Sequence, residues 1–255
     1  MLAKKKFGRK AQITLFVIIA IILVAAISLV VYIQREARLE KMPEINLVNE
    51  YIDGCLEQVG NEAVLQTSLQ AGYYTLPEPF LIYNYIEFIP YLYEDGKHKL
   101  LKMETIENEI SNYIRDEIDF CLDDFEFFRE KGFDFSMGKP KANTKIREGK
   151  VTIDLNYPIT VRKENSVTLL SEFSFATNSN LKKILETANK VVTIYAEKPG
   201  FICLSCLDEI GEPYISIRAV PASYPTVGNY ILFFVIDEQY KINNEKLEFR
   251  FVVEG

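Results

Sequence analysis

The sequence predicts an α+β protein: an N-terminal transmembrane helix, then amphipathic helices packed on a mainly antiparallel sheet. Three observations predict it. Residues 13–33 run for 21 positions without a charge. Residues 45–128 repeat apolar side chains at spacings of three and four, and residues after 133 alternate apolar and polar at the period of strands.

The apolar run comes first. At a rise of 1.5 Å per residue it spans about 31 Å, roughly the hydrocarbon thickness of a bilayer. Lys4, Lys5, Lys6, Arg9 and Lys10 precede it with no acid among them, whereas the following flank mixes Arg35, Glu36, Arg38, Glu40 and Lys41. This bias holds the N-terminus in the cytoplasm and sends the remainder across a cell membrane. The chain therefore divides into a basic cytoplasmic N-terminus (1–12), a transmembrane signal-anchor helix (13–34), a linker (35–43) and an extracytoplasmic domain (44–255). That domain has a helical and aromatic half, 44–132, and a strand-rich half, 133–255. The bilayer is the partner expected of residues 13–34. The run outlasts an ordinary secretory signal, and a cut after Ala26 would leave "SLVVYI" naked at the new N-terminus.

"GRKAQITLF" resembles the class III signal of archaeal type IV pilin-like proteins, over the first thirty residues or so. The resemblance implies cleavage after Ala11, behind Arg9 and Lys10, with Gln12 as the first mature residue and the naked apolar helix bundling into a filament. Phe16 departs from the pattern at the fifth mature position, where pilins often carry Glu, so the expected fate is an uncut anchor beginning at or near Met1. The N-terminus and several later stretches are also similar to single-span surface proteins of small-genome archaea, which implies topology and no activity.

Met42-Pro43 is expected to end or kink the helix leaving the membrane. A helix then follows through Ile45, Val48, Ile52, Cys55, Val59 and Ala63, until "AGYYTLPEPF" breaks it. An aromatic stretch closes at "EDGK". A long helix from about Glu104 to Lys131 buries Ile106, Ile110, Ile114, Ile118, Cys121, Phe125 and Phe128, and Gly132 suits its end. "KVTIDLNYPITVRK" and "SVTLLSEFSF" read as paired strands turning at Glu164-Asn165. A helix over Asn180–Glu197 stops at Pro199-Gly200. "YISIRAV", "YILFFVID" and "KLEFRFVVE" supply three more strands, and the near-continuous apolar character of "YILFFVID" makes it central.

Charge narrows the function classes. The chain has 29 basic and 36 acidic residues, of which the first 41 positions hold eight and two, leaving 21 and 34 in the exported part, a balance of −13. Such a surface disfavours nucleic acid, and no basic stripe interrupts it. The single histidine, His98, lies in a charged turn, so triads and imidazole metal sites lack their ligand. No phosphate-cradling glycine loop occurs. Paired acids such as Asp123-Asp124 fall on the solvent face of the long helix. No cofactor is expected and no catalytic constellation is evident, although two acids on separate strands would leave no spacing signature.

The four cysteines carry more. Cys55 in "IDGCL" and Cys121 in "IDFCL" both lie on apolar helix stripes, so a disulfide between them would staple two helices in an oxidising compartment. Cys203 and Cys206 form "CLSC", which reads as a local structural disulfide, half a zinc site or a redox dithiol. The thioredoxin setting of aromatic, glycine and proline is missing, and no parallel strand–CxxC–helix unit surrounds the pair.

Tyr73, Tyr74, Tyr83, Tyr85, Tyr91 and Tyr93 crowd one stretch. They suit an adhesive or glycan-binding surface, or a strand that buries its rings against the helices. The sequence thus predicts a membrane-anchored surface protein with a structural, adhesive or assembly role, in contact with other surface proteins or with itself. A processed pilin-like subunit and an extracytoplasmic redox enzyme using Cys203 and Cys206 are the alternatives.

Overall fold

The computed structural model of the protein describes residues 19, 21–29, 42–224 and 228–255. The chain divides into two compact units, Met1–Glu50 and Tyr51–Gly255. In the first, residues 21–29 are helical and exposed. The basic segment 1–12 with Ala11 and Gln12, most of the apolar run 13–34, and residues 35–41 of the linker lie outside the described residues. Among the described residues, no helix is long and apolar enough to cross a membrane.

Helix α1 spans Met42–Leu69. Pro43 therefore stands in its first turn, where the missing N–H costs no hydrogen bond, and the expected end of a preceding helix lies outside the described residues. In the second unit α1 buries Ile52, Leu56, Val59, Ala63 and Val64. It runs six residues past the expected stripe because Gly72 can close it. Gly72 has φ +85 and donates to the Thr67 carbonyl. A Cβ there would come within 2.6 Å of Ile106, so the turn and the next helix meet at a residue without a side chain.

The aromatic stretch becomes a hairpin of β1 (Phe80–Tyr83) and β2 (Glu87–Glu94), followed by the short β3 (Lys97–His98). Asp95 and Gly96 both have positive φ, as the two-residue turn between β2 and β3 requires. Helix α2, Met103–Leu122, buries Ile106, Ile110, Ile114 and Ile118 as the spacing predicts.

The expected continuation to Lys131 does not occur. Asp123, Asp124 and Phe125 adopt φ of +44°, +47° and +57°, and only Glu126–Arg129 resume as the one-turn α3. Left-handed geometry costs about 1–2 kcal/mol per non-glycine residue. What offsets it is an aromatic cluster: Phe125 stacks on Phe135 at 4.2 Å, and Phe128 meets Tyr51, Phe133 and Phe135 edge-on. Each such pair contributes about 0.5–1.5 kcal/mol beyond its buried area. The hydroxyl of Tyr51 donates to the Cys121 and Leu122 carbonyls at 3.0 and 3.3 Å, and Arg129 Nε donates to the Asp124 carbonyl at 2.8 Å. Asp123 and Asp124 are exposed, but in a turn and not on a helix face.

The strand-rich half forms two sheets, where one was expected. The first contains β4 (Asp134–Met137), β5 (Lys141–Arg147), β6 (Lys150–Lys163) and β7 (Ser166–Asn178). Strand β6 pairs with β7 along one side, while β4 and β5 share the other. Its buried face alternates cleanly through Val151, Ile153, Leu155, Tyr157, Ile159 and Val161. Helix α1 lies so close that a Cβ on Gly60 would touch Ile153 and Phe175 at 2.9 Å. Helix α2 is tied to β5 by polar bonds. The Glu107 carboxylate accepts from Lys145 Nζ and the Ile146 N–H, and Ser111 exchanges bonds with Thr144.

Helix α4, Leu181–Glu197, and the short α5, Leu204–Glu209, lead into β8 (Ile215–Tyr224), β9 (Gly228–Ile242) and β10 (Glu245–Glu254). The second sheet has the order β1-β2-β10-β9-β8, with β3 on β2. Strand β9 is interior, between β10 and the edge strand β8, and is buried on both faces through Val235 as its apolar run predicts, while the centre of the sheet is β10. Among the described residues every pairing is antiparallel except β10 with β2. Alternate residues Tyr230, Leu232 and Phe234 cluster with Leu81, Ile89, Tyr91 and Val252.

Asp237 ends the apolar run of β9 as a fully buried carboxylate. It accepts from the backbone N–H of Asn180, Gln239 and Tyr240 and from Asn180 Nδ2, at 2.9–3.1 Å. Its charge sits at the start of α4, where the helix dipole favours it.

Candidate functional site

The residues that carry chemistry gather at the end of α4. Lys198 leaves the helix with its N–H on the Tyr195 carbonyl, and Gly200, at φ +80, turns the chain. The Tyr195 hydroxyl fixes this turn from below. It accepts from the Gly200 N–H at 2.9 Å and donates to the Glu254 carbonyl at 2.6 Å, so one buried phenol pins the loop to the last strand. Burial pushes its pKa up, against the opposing pull of the Gly200 N–H.

Gly200, Phe201 and Ile202 then line one side of a groove of about 490 Å³, and Pro221, Asn229, Tyr230, Ile231 and Gly255 line the other. Phe201 is half exposed, with Lys198 Nζ 4.6 Å above its ring. Cys203 follows directly and caps α5. Its Sγ accepts from the Cys206 N–H at 3.2 Å and lies 3.6 Å from Ser205 Oγ. Cys203 and Cys206 are joined as a disulfide with Cα atoms 5.2 Å apart, and both are partly exposed.

In the other pair Cys55 is buried, while Cys121, expected on the buried stripe of α2, is partly exposed. Cys55 and Cys121 are joined across α1 and α2, with Cα atoms 5.6 Å apart and a sequence separation of 66. No thiol among the described cysteines is free to serve as a metal ligand, and no group of three metal-binding side chains occurs among the described residues. His98 is exposed on β3, opposite Tyr93.

The six tyrosines do not share a surface. Tyr91 and Tyr93 are buried. Tyr93 meets Tyr195 edge-on at 5.3 Å. Tyr73 and Tyr74 are half-buried, and the N–H groups of Tyr74 and Thr75 donate to Glu109 on α2. Tyr83 packs partly on the β-sheet cluster. Only Tyr85 is open, 96 % exposed at the tip of the β1–β2 hairpin. Asn84 and Tyr85 both have positive φ there, closed by the Ile86 N–H on the Tyr83 carbonyl. A left-handed conformation is strained for a bulky side chain and is tolerated where the surrounding pairing imposes it. Ile82, Ile86 and Phe88 are exposed beside Tyr85, so the hairpin presents four large apolar side chains. Sequence reading named Tyr85 but missed Ile82, Ile86 and Phe88, because it grouped Tyr85 with the other tyrosines. The signal available was "NYIEF", aliphatic and aromatic residues on both sides of a turn asparagine.

A second concavity, of about 460 Å³, crosses the outer face of the first sheet among Lys141, Asn143, Asp154, Asn156, Glu172 and Ser174. Ser174 Oγ donates to Asp154 at 2.9 Å.

No family model, no curated protein and no solved structure matches this chain. Function has to be argued from its own residues.

Proposed function

We propose that the protein is a single-span surface protein, anchored by residues 13–34 and presenting residues 42–255 outside the cytoplasm in a structural or adhesive role. The observation that carries this reading is the uncharged run of 21 residues behind five basic ones. Two further features support it. The domain after the run is acidic, as suits a solvated exterior surface. It also holds two disulfides, which persist in oxidising compartments and are rare in the cytosol. Contact with other surface components falls to the hairpin tip at Ile82, Tyr85, Ile86 and Phe88, since large apolar side chains clustered on an exposed turn are a usual mark of an interaction site.

The test is protease treatment of intact cells. Removal of the 42–255 domain with the N-terminal peptide left in the membrane fraction is the expected result, and a fully protected domain would refute the topology. N-terminal sequencing of the same material distinguishes anchor from processed subunit. A chain beginning at or near Met1 keeps the basic cluster, whose burial in a filament core would cost several kcal/mol per unpaired charge. A Gln12 start in sheared surface filaments would replace the anchor by the pilin-like alternative. For the tip, Tyr85→Ser with Ile86→Ser should lower chemical cross-linking of the anchored protein to other envelope components by about tenfold.

A further inference from the structure

We propose that Cys203–Cys206 is an exchangeable disulfide, and that the groove beside it seats the extended chain of a protein dithiol. This goes beyond the anchored-surface reading and does not depend on it. Three observations meet here. The pair is partly exposed at both cysteines, on a helix of six residues at the surface, where the other pair has Cys55 buried and Cys121 partly exposed. It closes a loop with a sequence separation of three, so opening it releases little chain and disturbs no distant contact. The groove begins at the residues immediately before it, Gly200, Phe201 and Ile202.

The groove's lining suits a polypeptide. Gly200 and Gly255 carry no side chain at its walls, and a Cβ added to Gly200 would meet nothing within 4 Å. An incoming backbone can therefore lie close. Phe201 and Pro221 offer apolar surface for a side chain next to the reacting cysteine.

The chemistry follows from the hydrogen bond on Cys203. The Cys206 N–H donates to Cys203 Sγ, which stabilises a thiolate there and makes Cys203 the better leaving group. A substrate thiolate attacks Cys206 Sγ, the Cys203–Cys206 bond breaks, and Cys203 departs as the thiolate. The second substrate thiol, as thiolate, attacks the substrate sulfur of the mixed disulfide and expels Cys206. Two electrons pass from the substrate dithiol to the pair. The protons of the two substrate thiols end on Cys203 and Cys206, and the substrate leaves as a disulfide.

The test uses the full-length oxidised protein in detergent micelles. It is exposed to reduced glutathione or to a synthetic peptide carrying two cysteines flanked by an aromatic residue. Differential alkylation and mass mapping follow both disulfides, and circular dichroism follows the fold. Cys203–Cys206 should open at least about tenfold faster than Cys55–Cys121 with the fold unchanged. The peptide should react about fivefold faster than glutathione at equal thiol concentration. Phe201→Ser should remove that advantage while leaving the glutathione rate alone. Equal rates for the two disulfides, or opening only together with unfolding, would overturn the exchange site. A peptide no faster than glutathione, or an advantage that survives Phe201→Ser, would overturn the groove.

Discussion

Cys55 and Cys121 lie between two long helices, while Cys203 and Cys206 lie three positions apart at the surface. Beside the first pair lie the Phe125 and Phe128 rings and the Tyr51 hydroxyl, which donates to the Cys121 and Leu122 carbonyls. The second rests on a segment held by the Tyr195 hydroxyl and a few backbone bonds. The same covalent bond thus stands in two settings, and loop length sets how much each contributes to stability. A cross-link over 66 positions removes much conformational freedom from the unfolded chain, about 4 kcal/mol in the entropy model, and one over three positions removes less than about 2 kcal/mol.

Replacing each pair separately is the strongest way to break this contrast. Cys55→Ser with Cys121→Ser should lower the unfolding free energy by about 4 kcal/mol, and Cys203→Ser with Cys206→Ser by less than about 2 kcal/mol. Denaturant unfolding followed by circular dichroism measures both. Equal losses would mean that the surface loop is as structural as the staple.

Tyr195→Phe sharpens the contrast from the other side. It takes the partner from the Gly200 N–H and from the Glu254 carbonyl without changing volume. A loss of about 1–2 kcal/mol is expected. Faster hydrogen exchange should be confined to residues 199–202 and 254–255, with α1 and α2 protected as before. Loosening that spreads to the Cys55–Cys121 region would show that the two regions are one cooperative element.

How much of this was legible in the sequence depends on the distance over which each feature is decided. The β6–β7 hairpin, helix α4 and the interior, doubly covered place of β9 were readable because alternation, a turn pair and an unbroken apolar run are local. The break at Asp123–Phe125 was not. Phe125 and Phe128 fit the helical stripe, and it is Tyr51, far off in sequence, together with Phe135 on the strand that follows, that draws them out of it. The polar strand "KANTKIR" gave no strand signal of its own, since it owes its place to Glu107 and Ser111 on α2. The parallel pairing of β2 with β10, which puts the hairpin on the second sheet, joins residues about 160 positions apart. At the candidate site the CxxC spacing was visible, but the groove was not, because Pro221, Asn229 and Gly255 reach it from three separate strands or strand ends.

The smallest effect expected concerns Tyr157, which belongs to the stapled region as Tyr195 belongs to the loop. Its hydroxyl donates to Asp119 at 2.6 Å, tying β6 to α2. Burial, then the bond to Asp119, raises its pKa well above the ordinary value of 10. Tyr51, Tyr73, Tyr74, Tyr91, Tyr113 and Tyr195 are also raised, with burial the first cause in each. A group whose folded pKa exceeds its unfolded value contributes stability that is whole below the unfolded pKa and is lost as pH rises through the folded one. The domain should therefore hold its stability to about pH 10 and lose it above, by up to about 1.4 kcal/mol per pH unit for each tyrosine that ionises only on unfolding. Tyr157→Phe removes one such group. It should cost about 1 kcal/mol at about pH 8, where the bond to Asp119 is intact, and should make the fall above pH 10 shallower by one tyrosine's share. Stability measured at both pH values checks the pair of effects. An unchanged alkaline slope would mean that Tyr157 ionises as readily in the folded protein as in the unfolded chain, and that the bond to Asp119 does not hold the stapled region together.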